Sequence, residues 1–284
     1  MTDMEIPKRI KINILNRSAL IIIALIISSC SNLLTTKEAT ITNEIKQQKE
    51  LIKSYSQEIL KDPKNEKLIF DRGIAKYEYG DYKGAINDFN KAFQISNDDS
   101  ILYLRAITKF DFGDYEGAVD DYTRLLSVPD LRKEIYLDIG LINFYTFDYK
   151  SALLNFDKVI EEDKFQYQNF LHRGDLNFRL RNYKSAKKDY DKAINLYNRN
   201  YLAFNNRGVS NYKAGNFKKS LEDLNSSLKL NPGNYNVLFN RAFTYKKLNL
   251  NKKACIDLKK SIKLGKDVFK EEFLFICNKK LKAN

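Results

Sequence analysis

Five arginines are each followed sixteen residues later by an aspartate: Arg72 with Asp88, Arg105 with Asp121, Arg173 with Asp189, Arg207 with Asp223, and Arg241 with Asp257. A guanidinium repeated in this way can grip phosphates, grip the carboxylates of a ligand, or neutralise carboxylates of its own chain. One interruption separates these chemistries. Where a further arginine is due the chain has Ile139, and the matching aspartate is replaced by Asn155. A ligand site has no reason to lose a carboxylate in step with its cation. An ion pair does, because a charge left unpaired near a helix interface is costly. The pairs are read as structural ties between two helices.

Little else in the chain could do covalent or metal chemistry. His172 is the single histidine, and the three cysteines stand apart at Cys30, Cys255 and Cys277. Zinc sites and Ser-His or Cys-His catalysis need closer clusters than this, so no catalytic residue, metal or cofactor is expected. His172 reads as a contact residue. Cys255 and Cys277 fall in apolar helical patterns and read as small core residues, and a disulfide between them requires Cα atoms within about 7 Å.

The elements that position the arginines follow from a fixed period. Gly73, Ala106, Gly140, Gly174, Gly208 and Ala242 each follow the arginine position, at spacings of 33 and then 34 residues. A second small-residue row, Ala85, Ala118, Ala152, Ala186, Ser220 and Ala254, lies twelve residues further on, and a third row is aromatic or leucine: Phe89, Tyr122, Phe156, Tyr190, Leu224 and Leu258. Self-similarity at this period is the mark of a helical solenoid. With only 11 Gly and 4 Pro, and 43% hydrophobic residues, helix is favoured over tight-turned β architectures.

The stretch Phe204–Asn234, FNNRGVSNYKAGNFKKSLEDLNSSLKLNPGN, resembles the tetratricopeptide repeat (TPR) in its aromatic, its Gly, its Gly-Asn-Phe turn and its terminal Pro232. The resemblance implies an all-α fold, an α-solenoid of about six TPR helix-turn-helix repeats over residues 66–266. Small residues would let helices A and B of each repeat approach. Tyr82, Tyr115, Tyr149, Tyr183 and Phe217 would plug the turn between them, and Gly80, Gly113 and Gly215 would end the first helix in a left-handed conformation. Terminal stacking faces need closure, and the apolar spacing predicts capping helices at both ends, over 43–62 and 267–284.

The amino terminus reads as an address. Lys8, Arg9, Lys11 and Arg17 precede an apolar run from Ala19 to Ile27 that is too short to span a bilayer as a helix. It ends in Ile27-Ser28-Ser29-Cys30, which resembles the lipobox of bacterial lipoproteins. That resemblance implies a signal peptide over 1–29 and lipid attachment at Cys30 with palmitate-type acyl chains; residues 30–42, rich in Thr, Ser and Asn, read as a lipid-anchored flexible tether. The lipobox resemblance places the chain in the cell envelope, facing periplasm or exterior, with the outer membrane favoured because Ser31 follows the cysteine.

In the TPR family the partner groove is lined mainly by helix A. Carried onto this sequence, the candidate partner-binding residues are Tyr77, Tyr103, Phe110, Asp138, His172, Arg179, Asn205, Asn206, Tyr212, Lys213, Asn240 and Lys247. Asn206 and Asn240 hold equivalent positions and could bond the backbone of an extended peptide. The aromatic row through Tyr77, Phe110 and Tyr212 has two readings, groove lining and packing. The formal net charge is +13, and from Lys246 onward twelve lysines face four acids, a basic end suited to an anionic surface. The reading is a non-catalytic scaffold of the bacterial envelope that binds protein or peptide partners. The alternatives are an intracellular TPR protein whose basic end binds nucleic acid or an acidic partner, and an enzyme subunit.

Overall fold

The computed structural model describes residues 31–265 and Cys277. The signal segment over 1–29, Cys30, and the closing helix expected over 267–284 (Cys277 apart) lie outside the described residues. Among the described residues there are thirteen α-helices and no strand.

The first unit, ending at Leu131, holds α1 (Ser31–Lys61), α2 (Glu66–Tyr79), α3 (Tyr82–Ser96), α4 (Asp99–Phe112) and α5 (Tyr115–Leu125), followed by a short 3-10 turn. The second, from Arg132, holds α6 (Arg132–Tyr145), α7 (Tyr149–Glu162), α8 (Tyr167–Arg179), α9 (Tyr183–Leu196), α10 (Tyr201–Lys213), α11 (Phe217–Leu230), α12 (Tyr235–Lys247) and α13 (Asn251–Gly265). From α2 onward the helices pair within repeats: α2 with α3, α4 with α5, and so on to α12 with α13. Even-numbered helices are helix A of their repeat and odd-numbered ones helix B. Within each unit, helix B also packs on helix A of the next repeat.

The turn inside every repeat passes through one left-handed residue. Gly80, Gly113 and Gly215 take φ of 95°, 90° and 80°, and Phe147, Arg181 and Asn249 take 65°, 61° and 60° at the equivalent places. This conformation is free for glycine but strained for the other three residues. On the B helices Asp81, Asp114 and Asp148 accept hydrogen bonds from the backbone N–H groups of Gly84, Gly117 and Ser151, satisfying donors the helix leaves open.

The small-residue row and the aromatic row are two sides of one contact. A Cβ added to Gly174 would lie 2.7 Å from the Tyr190 ring, and one added to Gly73 would lie 2.7 Å from Phe89. The large ring of helix B therefore occupies the space a side chain on helix A would need. Phe89, Phe156, Tyr190, Leu224 and Leu258 are almost wholly buried there.

Two sequence expectations change. The first helix begins at Ser31, so residues 31–42, read as a tether, belong to α1 together with the expected cap. Its Thr and Asn content suggested a flexible chain, but no Gly or Pro occurs between Ser31 and Lys61 to break a helix. Cys255 and Cys277, read as small core residues, form a disulfide with Cα atoms 5.6 Å apart. It joins α13 to the chain beyond Gly265, against the cluster of Ala242, Ala254 and Leu258. No helix among the described residues is long and apolar enough to cross a membrane.

Candidate functional site

The arginines sit inside the repeat rather than on its binding face. Arg72 donates from Nε and Nη2 to the two carboxylate oxygens of Asp88 at 2.8 and 2.7 Å. Arg105 does the same to Asp121, and Arg241 to Asp257. Arg173 and Arg207 close equivalent forks on Asp189 and Asp223. All five aspartates are buried. Burial works against the guanidinium charges of Arg173, Arg207 and Arg241, but their aspartate hydrogen bonds and charges outweigh it and raise their pKa values. At the exceptional repeat Ile139 is buried, and Asn155 turns its amide to the Ser151 carbonyl of its own helix.

Each arginine has a second tie that the sequence reading did not include. The remaining guanidinium nitrogen, Nη1, donates backward along the chain, to Ser56 of α1, Asn90 of α3, Asp157 of α7, Asp191 of α9 and Asn225 of α11. Every one of these acceptors stands on the preceding helix B or its α1 counterpart. The guanidinium thus joins three helices. Four of the aspartates, Asp88, Asp121, Asp189 and Asp223, also take a further donor residue: Lys76 and Lys109 in the first unit, Asn177 and Asn211 in the second.

On the helix A face of the first unit, most of the expected groove residues are engaged in packing. Tyr103 is buried against the Tyr122 ring, so it is not a free groove residue. Phe110 packs on Tyr115, and Tyr77 packs on Tyr82 while its hydroxyl donates to Asp111 at 2.6 Å in the next repeat. The aromatic row is packing. It seals helix A against the turn ring of the same repeat.

In the second unit the face is polar and more open. Asp138 is half-buried on α6. His172 stacks on Phe156 with ring centroids 5.9 Å apart, and burial pulls its pKa down while the Asp175 charge opposes the shift. The asparagines, expected to offer free amides, are bonded to one another. Asn240 donates to Asn205 at 3.0 Å, Asn205 to Asn206 at 2.9 Å, and Asn206 to Asp175 at 2.9 Å. The correction has a simple cause: half-buried amides on adjacent helices satisfy each other before any ligand arrives. Tyr212 packs on Phe217. Arg179, Lys213 and Lys247 are exposed at equivalent places on α8, α10 and α12, and the Arg179 guanidinium lies 4.8 Å over the Phe144 ring.

Asp175 was missed from sequence. It collects hydrogen bonds on Oδ1 from the Tyr190 hydroxyl, at 2.6 Å, and from Asn206. Burial raises its pKa, and those two donors work against the rise. The signal was present: the equivalent residues in other repeats are Ile74, Ile107, Leu141, Val209 and Phe243, so an acid there is the exception. Among the described residues no group of three or more His, Cys, Asp or Glu is placed to hold a metal ion.

Comparisons with known proteins agree with this architecture. A family model described as tetratricopeptide repeat matches residues 171–235. No curated protein sequence matches the chain. Among solved structures, the C-terminal part of a TPR repeat-containing protein from Cytophaga hutchinsonii aligns with TM-score 0.68 and 17% identity, covering 80% of this chain and 93% of that one. A TPR protein from Parabacteroides merdae aligns with TM-score 0.55 and 20% identity, covering 83% of this chain and 98% of that one. YrrB, described as a TPR protein with an unusual peptide-binding site, aligns with TM-score 0.56 and 22% identity over 68% of this chain and 98% of its own. At these identities the likeness carries the fold. Six helix pairs in one register, with the family match over two of them, make the fold of this chain an all-α solenoid of tetratricopeptide-type repeats.

Proposed function

We propose that this protein is a non-catalytic scaffold of the bacterial cell envelope, held to a membrane through a lipidated Cys30, whose A helices bind extended segments of partner proteins. The observation that carries the binding role is the exposed polar face of α8, α10 and α12. There the hydrogen-bonded chain from Asn240 through Asn205 and Asn206 to Asp175 links three repeats, flanked by exposed cations. YrrB, of like fold, is described as having a peptide-binding site, which supports the same reading. The disulfide between Cys255 and Cys277 supports the envelope, because such bonds persist in oxidising compartments.

The test has two arms. Crosslinked capture of partners from envelope extracts should fall for Asn206→Ala/Asn240→Ala and stay unchanged for Lys218→Ala/Lys219→Ala on α11. Equal capture by both variants would refute the binding face. Palmitate labelling should disappear in Cys30→Ala, and labelling that persists in that variant would refute the anchor.

A further inference from the structure

The charges on the A helices of the second unit are unevenly neutralised. Helices α8, α10 and α12 contain a single acid among them, Asp175, whose carboxylate is already held by Tyr190 and Asn206. Three of their arginines, Arg173, Arg207 and Arg241, are spent on aspartates of the B helices. Lys246 apart, Arg179, Lys213 and Lys247 remain. They are exposed, occupy the same place in successive repeats, and form no ion pair among the described residues. At that place the first unit has the acids Glu78 and Asp111, so the row is positive only in the second unit.

The row has a spacing as well as a sign. Helix α8 touches α10, and α10 touches α12, and the Asn240–Asn205 hydrogen bond bridges the second of these contacts. Packed helices lie about 8–10 Å apart, so the three cations step along the face at roughly that interval. An extended β-strand advances about 3.3 Å per residue and alternates its faces, so neither two nor three residues present like side chains at about 10 Å. A polyproline II segment advances about 3.1 Å per residue with three residues per turn, so every third side chain faces the same way at about 9.3 Å.

We propose that the α8–α10–α12 face binds a polyproline II segment of a partner protein that carries an acidic side chain at every third residue, one carboxylate for each of Arg179, Lys213 and Lys247. The inference rests on the peptide-binding reading above and specifies its ligand. Such a segment arrives already extended, which lowers the ordering cost of binding. Neighbouring Tyr212 and the Arg179–Phe144 stack supply apolar surface for the prolines between the acids.

The probes are labelled peptides of four Glu-Pro-Pro units, an isomer with the four glutamates contiguous, and four Lys-Pro-Pro units, titrated by fluorescence anisotropy against the full-length protein. The regularly spaced acidic peptide should bind at least about 5-fold more tightly than its isomer, and the lysine peptide should not bind. Each of Arg179→Ala, Lys213→Ala and Lys247→Ala should weaken binding by about 2- to 5-fold, as exposed charge pairs do, and Lys218→Ala/Lys219→Ala should leave it unchanged. Circular dichroism of each variant should match the parent, since all three side chains are exposed. Equal affinity for the two acidic isomers would show general polyanion attraction and overturn the proposal. So would tight binding to phosphatidylglycerol vesicles that the Lys213→Ala/Lys247→Ala variant abolishes while peptides fail to bind. If the peptides fail but Asn206→Ala/Asn240→Ala still loses captured partners, the acidic register falls and the binding face stands. If neither variant set alters anything, both fall.

Discussion

Arg207→Ala tests whether the repeated arginines hold the array together. In the native protein the guanidinium contacts Asp223, whose side chain is 7% exposed, and Asp191, whose side chain is 42% exposed. Removing it strands the first in the interior and returns the second to water. Breaking a buried pair from one side costs about 3–5 kcal/mol. Asn211 still donates to Asp223 at 2.9 Å, and Arg207 is itself 22% exposed, which places the loss near the lower figure, about 3 kcal/mol. The Asp191 contact adds less than about 1 kcal/mol, because solvent screens it. For a chain of this size the loss corresponds to a fall in Tm of about 6–12 °C. The exceptional repeat supplies the control, since Ile139 and Asn155 fill the same two places without charge. Arg207→Ile/Asp223→Asn should recover most of the loss, to within about 1.5 kcal/mol of the parent, because it removes both charges instead of one. Urea unfolding followed by circular dichroism reads the totals. Hydrogen exchange in α10 and α11 reads whether the damage is local, which matters because repeat arrays can unfold in parts. A single variant costing under about 1 kcal/mol, with a double variant no more stable than it, would refute the reasoning.

Further outcomes follow from the same structure. Phe147 holds a left-handed backbone with its side chain 72% exposed, so Phe147→Gly should raise stability by about 0.5–1 kcal/mol in thermal melts. His172 is the single histidine and burial lowers its pKa, so it contributes stability that is present above the ordinary histidine value of about 6.5 and lost as pH falls through its lower folded value. An NMR titration should find its midpoint below 6.5, and His172→Gln should flatten the acid side of the stability profile. Asp175 has the opposite sign: burial raises its pKa, so its contribution is present below the ordinary aspartate range and lost as pH rises through the folded value. Asp175→Asn should therefore leave the protein no less stable at pH 7 in urea unfolding. Reducing the Cys255–Cys277 bond, which closes a loop of 22 residues, should cost about 3 kcal/mol, read as a Tm difference with and without a thiol-free reductant.

The helix pairs were legible because a period of 34 residues puts the same side chain in the same environment again and again. The matched loss at Ile139 and Asn155 exposed the ion pairs for the same reason. The second tie of each arginine was equally open to reading. Ser56, Asp157, Asp191 and Asn225 stand sixteen residues before their arginines and Asn90 stands fifteen before Arg105, so the acceptors recur with nearly the same period as the cations they serve. What a one-dimensional reading misses is competition among neighbours. Asn205, Asn206 and Asn240 looked available because each was considered alone, yet each finds a partner on its own or the adjacent helix. Asp175 sat at a place reserved for apolar side chains, and the Tyr190 hydroxyl on the paired helix together with the Asn206 amide explains how it is tolerated. The cysteines differ again: their pairing depends on where the chain goes after Gly265, which no local pattern encodes.

The continuity of α1 bears on how the protein is aimed. A coil between an attachment point and the first repeat would let the repeats sample every direction. A helix running unbroken from Ser31 to Lys61 spans about 46 Å and resists bending, and Ser56 near its far end is clasped by Arg72. Rotation imposed at one end is therefore delivered at the other. The anchor proposed at Cys30 would therefore fix the heading of α2 and α3 along with their distance, as a mast sets the bearing of what is bolted to it.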